Sequence, residues 1–269
     1  MIGPLSGSKW KALEQKVALV ALDGEYIKLR IAKSDEEIAW LRVGAALSDA
    51  GMAALVAATQ PGATEHELAN AIERAYVGIG GAIGIHFIGS TPMAKPNVFV
   101  PRQFTSRRRI EAGDFVFCEL TATWWDYSGQ VLRGMTVEAE PTALYRDLHA
   151  TAKQAFDDIT RAIKPGVPAA ALTEASAVIE KNGFTTCDDL VHGYGGGYFA
   201  PILGSQSRPA GHPATLTLAE NMCMVVQPNV ITRDETAGVQ FGELVRVTKT
   251  GFESLHRTPP QMFRAGEMI

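Results

Sequence analysis

The chain is poor in cysteine. It has three among 269 residues, Cys118, Cys187 and Cys223, far apart and odd in number. That excludes a disulfide framework and a CxxC metal site, and it points to a reducing compartment, so a cytoplasmic location is expected. Positive charge is not in excess: 25 Lys and Arg against 29 Asp and Glu leave a net charge of -4. Neither nucleic acid nor a membrane is therefore expected as a partner. The densest basic run, Arg107-Arg108-Arg109 with Arg102 nearby, reads as a solvated loop face. No apolar run approaches the roughly 18 residues of a membrane-spanning helix, and no signal-peptide pattern opens the sequence. Aromatics are only 8% of the chain, and Trp124 and Trp125 read as core and rim rather than a base-stacking platform. What is present in quantity is apolar side chain, at 46%. With this length, that suits one large domain, or one and a fraction, around a sizeable core.

The helix signals come in a repeated order. Ser34 with Glu37 makes a capping box, and apolar residues then recur through "IAWLRVGAALSDAGMAALVAAT" until Pro61-Gly62 stops the helix. Thr64 with Glu67 makes a second box, opening a shorter helix through "LANAIERAYV". Later, "PTALYRDLHATAKQAFDDITRAI" reads as a long helix, Pro165-Gly166 stops it, and "AAALTEASAVIEKNG" reads as a shorter one. Pro61 and Pro165, Leu68 and Leu172, and Ala71 and Ala175 share one offset. A β-rich hairpin follows each helix pair. The first is "DFVFCELTATWW", turning at Asp126-Tyr127-Ser128-Gly129 into "QVLRGMTVE". The second is "MCMVVQPNVIT", turning through "RDETAG" into "VQFGELVRVT". The chain reads as two similar α+β halves.

Between the second helix pair and its hairpin lies "VHGYGGGYFAP", with strand-like "CDDLV" running into it. A phosphate cradle needs a strand, a glycine loop and then a helix. Pro201 and Pro209 argue against a helix here, and no lysine is suitably placed.

In this order, these words resemble the superfamily of methionine aminopeptidase, Xaa-Pro peptidase and creatinase. "LRIAKSDEEIAWLR" is similar to the opening of its catalytic domain and "QPGATEHELANAIE" to its helix-turn-helix. "EAGDFVFCEL" is similar to its first metal strand, "MVVQPNV" to the strand carrying a glutamate ligand, and "GVQFGELVRVTKTGFESL" to its last hairpin. The likeness covers roughly residues 27 to 256. It implies a pita-bread fold: a curved, mainly antiparallel sheet built from two halves related by a pseudo-twofold axis. Residues 1–30, expected as one helix and one strand, resemble the tail of an amino-terminal domain, and residues 31–269 the catalytic-type domain. A homodimer is implied as well.

Peptidases of the superfamily hold two divalent metals with two aspartates, a histidine and two glutamates. The resemblance puts those positions on Glu119, Gln130, Gly196, Gln227 and Gly242. One carboxylate remains and no ligating histidine, so no metal and no other cofactor is expected. The two glycines imply room at the domain centre. A one-residue slip of the last strand would bring Glu243 inward in place of Gly242. His192 matches a substrate-contacting histidine, and a second such histidine falls near Asn97. The expected site pairs Glu119 and His192 as acid and base, with Asn97, Gln130, Gln227, Gln240 and Glu243 contacting a small-molecule substrate.

Creatinase supplies the precedent of metal-free C–N hydrolysis on this fold, acting on a guanidino substrate. A pseudoenzyme that binds a ligand or serves as a scaffold, and an Xaa-Pro-type peptidase, remain the alternatives. Arg133 reads as structural and His86 as a core residue, while His212 and His256 lie in loops.

Overall fold

The computed structural model describes residues 6–211 and 215–269, so His212 lies outside the described residues. Two compact units divide at Arg30 and Ile31. The first holds α1 (Gly7–Glu14) and nearly all of α2 (Asp23–Ile31). The second of these corrects the expected strand. Asp23 and Glu25 lie in its first turn and Lys28 and Arg30 in its last, which suits a helix dipole. Lys28 pairs with Glu25 at 2.8 Å, one turn away.

The second unit repeats one order of elements. Its first half runs α3 (Asp35–Ala58), α4 (Glu65–Tyr76), β1 (Ala82–Pro92), β2 (Asp114–Trp124) and β3 (Tyr127–Thr136). The next runs α5 (Ala143–Ala162), α6 (Ala170–Ala175) and α7 (Val178–Lys181), then β4 (Thr185–Thr186), β5 (Val191–Tyr194), β6 (Tyr198–Leu203), β7 (Cys223–Val226), β8 (Val230–Ile231) and β9 (Gly242–Val247). β10 (Phe252–Ser254) and β11 (Phe263–Arg264) close the chain. The main sheet has the order β1-β2-β3-β9-β7-β5-β6. About the β3–β9 junction, β2 answers to β7 and β1 to β5, so the duplication is visible in the topology. All pairings along that path are antiparallel. The fold is the curled, mixed α+β pita-bread architecture.

Both capping boxes form in full. Ser34 and Thr64 each accept the N–H of the glutamate three residues on, and that glutamate accepts the cap's own N–H. By length and hydropathy α3 would span a membrane, which the absence of a long uninterrupted apolar run did not anticipate. In this fold it is a core helix: Leu41, Ala45, Met52 and Leu55 are fully buried. The glycines explain how closely it lies on the sheet. A Cβ on Gly129 would stand 2.2 Å from the Cα of Ala45, and one on Gly44 would stand 2.4 Å from the carbonyl oxygen of Tyr127. Gly129 is thus a strand residue serving a close approach, not the turn residue expected. The turn lies earlier, at Trp125 and Asp126, both with positive φ, as a two-residue hairpin loop of the primed type requires.

Two main cores stabilise the fold, and Phe115 and Phe117 of β2 belong to the one built mainly by the second half. Val116, Cys118, Leu120 and Ala122 of β2 pack with Met52, Leu55 and Ile72. Phe156, Ile159 and Leu172 pack with Val191, Val226 and Phe241. A third cluster at the seam joins Ile38 and Leu41 to Leu132, Val225 and Leu244. Strand alternation then puts Glu119 and Thr121 on the face of β2 opposite Val116, Cys118 and Leu120.

Candidate active site

One face of β2, β3 and of the segment ending β7 carries a chain of polar side chains. The Nε2 of Gln130 donates to the Oε1 of Glu119 at 3.0 Å and to the Oε1 of Gln227 at 2.8 Å. The Nε2 of Gln227 donates to the backbone carbonyl of Asp189 at 3.1 Å. His192, on β5 opposite Val225, stands close enough to Gln227 for that amide to favour its charged form. All four side chains are buried. Three of the five positions carried over from the resemblance are thus linked directly. Gly242 lies beside them, since a Cβ on it would stand 2.7 Å from the Cα of Gln227.

Gly242 also corrects an expectation. That same Cβ would sit 2.2 Å from the carbonyl oxygen of Val226, so the position is crowded and opens no cavity. Gly195, Gly196 and Gly197 all have positive φ, and β6 follows them directly. The loop is a strand-to-strand turn, and its glycines answer a backbone requirement.

The remaining candidates lie elsewhere. Asn97 is exposed, and its side chain and backbone N–H bond Thr91. Glu243 faces the other side of the sheet, bound to Arg133 and to Ser254. Arg133 is fully buried and also donates to the carbonyls of Leu132, Gly242, Thr258 and Pro259. Gln240 is buried on the site's face, two residues before Gly242. His86 bonds the hydroxyl of Tyr76 at 2.5 Å, and His256 bonds Asp49 at 2.8 Å.

Two acids in the strand-like run ahead of the glycine loop, Asp188 and Asp189, add to the local field. Burial, then Asp188 and Asp189, push the Glu119 carboxyl up to about 8. At neutral pH it is a proton donor. Burial holds the His192 imidazole below its ordinary value, against the pull of Asp189 and Gln227, so at neutral pH it is an acceptor. Tyr198 stacks on that imidazole with ring centroids 4.2 Å apart, and its hydroxyl donates to Asp189 at 2.5 Å. The only signal for Asp188 and Asp189 was their adjacency ahead of the glycine loop.

The residues present do not fit a pair of divalent cations. Such ions need several anionic oxygens or imidazoles. Here the amides of Gln130 and Gln227 turn their N–H groups on neighbouring oxygens, and Gly242 offers no side chain. Among the described residues, no three His, Cys, Asp or Glu side chains converge.

The fold and this central site define a peptidase-type pita-bread protein. Metallopeptidase family M24 matches residues 39–249, and the chain belongs to that family. An Xaa-Pro dipeptidase of Pyrococcus furiosus is 26% identical over 236 residues, covering 87% of this chain and 65% of that protein. The chain thus spans about 65% of the length of the first curated relatives it matches. Among solved structures, an Xaa-Pro dipeptidase from Bacillus anthracis superposes with a TM-score of 0.84 at 23% identity, covering 97% of this chain and 72% of that one. Dipeptidase PepE from Mycobacterium ulcerans gives 0.83 at 22%, covering 98% and 70%.

Proposed function

We propose that this chain is a metal-independent, creatinase-like hydrolase that cleaves a C–N bond of a small polar amide or guanidino-type substrate. One observation carries the reading: a carboxyl held protonated and an imidazole held neutral meet through two buried amides. In the reaction, His192 takes a proton from water as the hydroxide oxygen bonds the substrate carbon. Glu119 gives its proton to the departing nitrogen as the C–N bond breaks. Gln130 and Gln227 hold the acid and orient the substrate. The His192 proton then returns to Glu119, and the sum is the addition of one water.

Two other readings have their own support. The Tyr198 ring packed over His192 favours a non-catalytic scaffold or small-ligand-binding protein. The relatives named Xaa-Pro dipeptidases favour a dipeptide substrate. One experiment separates the three. Chelator-treated protein is screened against small amides, guanidino compounds and Xaa-Pro dipeptides, then again with added Mn²⁺. Turnover without metal that disappears in Glu119→Gln and His192→Ala supports the proposal. Xaa-Pro cleavage that needs Mn²⁺ replaces it with the peptidase reading. Absence of turnover in both arms leaves the non-catalytic reading.

A further inference from the structure

The groups that the proposed reaction uses are shut in. Glu119, Gln130, His192 and Gln227 are each at most 9% exposed. The cleft lined by Asp147 and Lys181 and the cleft lined by Glu73 and Phe104 include none of them. Water and substrate therefore need a way in that this conformation closes.

The ring of Tyr198 closes it. It lies nearly flat on the His192 imidazole, with centroids 4.2 Å apart and planes 17° apart. Tyr194, the other ring against that imidazole, meets it edge-on at 5.3 Å and is half-buried. Tyr198 is 51% exposed, so its outer face is already in water. Its hydroxyl donates to the Asp189 carboxylate at 2.5 Å. That bond is exposed, so water can replace it at little cost. The backbone carbonyl of Asp189 accepts from the Nε2 of Gln227 at 3.1 Å, which ties the latch to the site. A ring recruited to fill a dead site would bury itself there. This one lies across the entrance.

The backbone under the ring is held. Tyr194 pairs with Tyr198 across a turn of three positive-φ glycines. Movement therefore belongs to the side chain, whose rotation is fast when it is exposed. Gly196 and Gly197, just before it, carry no side chain. We infer that Tyr198 is a lid on the site, latched by Asp189: its ring swings off His192 when the latch opens, and substrate and water enter through the gap. The inference rests on reading the centre as an active site, and it adds the step that admits substrate.

Diethyl pyrocarbonate, which acylates neutral imidazole, reads the opening without any substrate. Modification of His192 is followed by peptide mass spectrometry at pH 8, where this imidazole is neutral, with exposed His66 as the reference. Wild-type His192 is expected to react about tenfold or more slowly than in Tyr198→Ala, and the ratio of rates is the fraction of time the lid is open. Tyr198→Phe keeps the ring and loses the latch, so its rate is expected to fall between them. Equal rates in the three proteins overturn the lid, and a Tyr198→Phe rate equal to wild type overturns the latch. A wild-type His192 that never reacts, while that of Tyr198→Ala does, overturns the lid, since the ring is then a fixed plug. So does a gain in Tyr198→Ala that is shared by His256, buried against Asp49, since the fold has then loosened as a whole. Lid behaviour without turnover in any preparation leaves the lid standing and removes the hydrolase. Turnover that depends on Glu119, with equal His192 rates, removes only the lid.

Discussion

Glu119→Gln, followed across pH, reports directly on the electrostatics of the site. In the folded chain burial, with Asp188 and Asp189, pushes this carboxyl up to about 8, while its ordinary value is 4.5. Between those values the folded state keeps a proton that the unfolded state has released. Stability from this group is therefore complete below about 4.5 and is lost as pH rises through about 8. One proton is worth about 1.4 kcal/mol per pH unit. From pH 5 to pH 7 the wild type thus loses about 3 kcal/mol through Glu119 alone. Glutamine is neutral throughout and mimics the protonated acid, so the variant escapes that loss. Urea unfolding followed by tryptophan fluorescence at pH 5, 6, 7 and 8.5 gives both stabilities, and their difference cancels every other titrating group. The difference should move in favour of Glu119→Gln by about 3 kcal/mol between pH 5 and 7 and flatten above pH 8. A difference constant to within about 0.5 kcal/mol refutes the assignment of a protonated Glu119, and with it the acid in the proposed reaction.

Glu243→Ala strands the Arg133 guanidinium in the core. It should cost about 3–5 kcal/mol and lower the melting temperature by roughly 2–4 °C for each kcal/mol; a melting curve within a degree of wild type contradicts the ion-pair role. Gly129→Ala drives a methyl into the backbone of Ala45 and should cost about 3 kcal/mol in chemical denaturation. Tyr198→Ala uncovers His192, whose imidazole should titrate closer to its ordinary value because burial is the main cause of its depression. An NMR titration of the ring carbon proton reads this, and an unmoved midpoint shows that burial does not come from Tyr198.

Features whose partners lie within a few residues were legible in the sequence. The capping boxes at Ser34 and Thr64 close on glutamates three residues away, and both form. The duplication was legible because a break, a helix and a hairpin recur in one order. What depends on distant backbone was not legible. Gly129 reads as a turn residue until α3 is laid across it, and Gly242 reads as open space until the carbonyl of Val226 is placed against it. The two-residue turn falls on Trp125 and Asp126, which carry none of the glycine or asparagine preference of such loops. Residues 23–31 show an extended-looking apolar pattern, yet charges at both ends favour the helix. In the site, the contact of Gln130 with Glu119 is diagonal across the hairpin, since Gln130 faces Thr121, and a turn at residues 126–129 does not yield it. Asp188 and Asp189 read as strand residues, and no local pattern marks them as neighbours of Glu119.

The seam between the halves keeps its geometry by contacts on both faces of β9. β3 and β9 meet through two residue pairs, Val131 with Glu243 and Leu132 with Gly242. So short a contact specifies register weakly by itself, and a slip of one residue would exchange the faces of every side chain beyond it. Two features oppose the slip from opposite faces of β9. On one face, Arg133 grips the Glu243 carboxylate and the Gly242 carbonyl. A slip would take Glu243 out of reach and leave a buried guanidinium without its anion, the costlier half of a broken ion pair. On the other face, the slip would bring Glu243 to the place of Gly242, where a Cβ stands 2.2 Å from the Val226 carbonyl. Backbone cannot yield there as a flexible side chain can. The substitution that the sequence presents as a lost ligand therefore enforces the register, and that register holds Gln227 within 2.8 Å of Gln130 across the seam. Glu243 holds the central residues in line from the opposite face of the sheet.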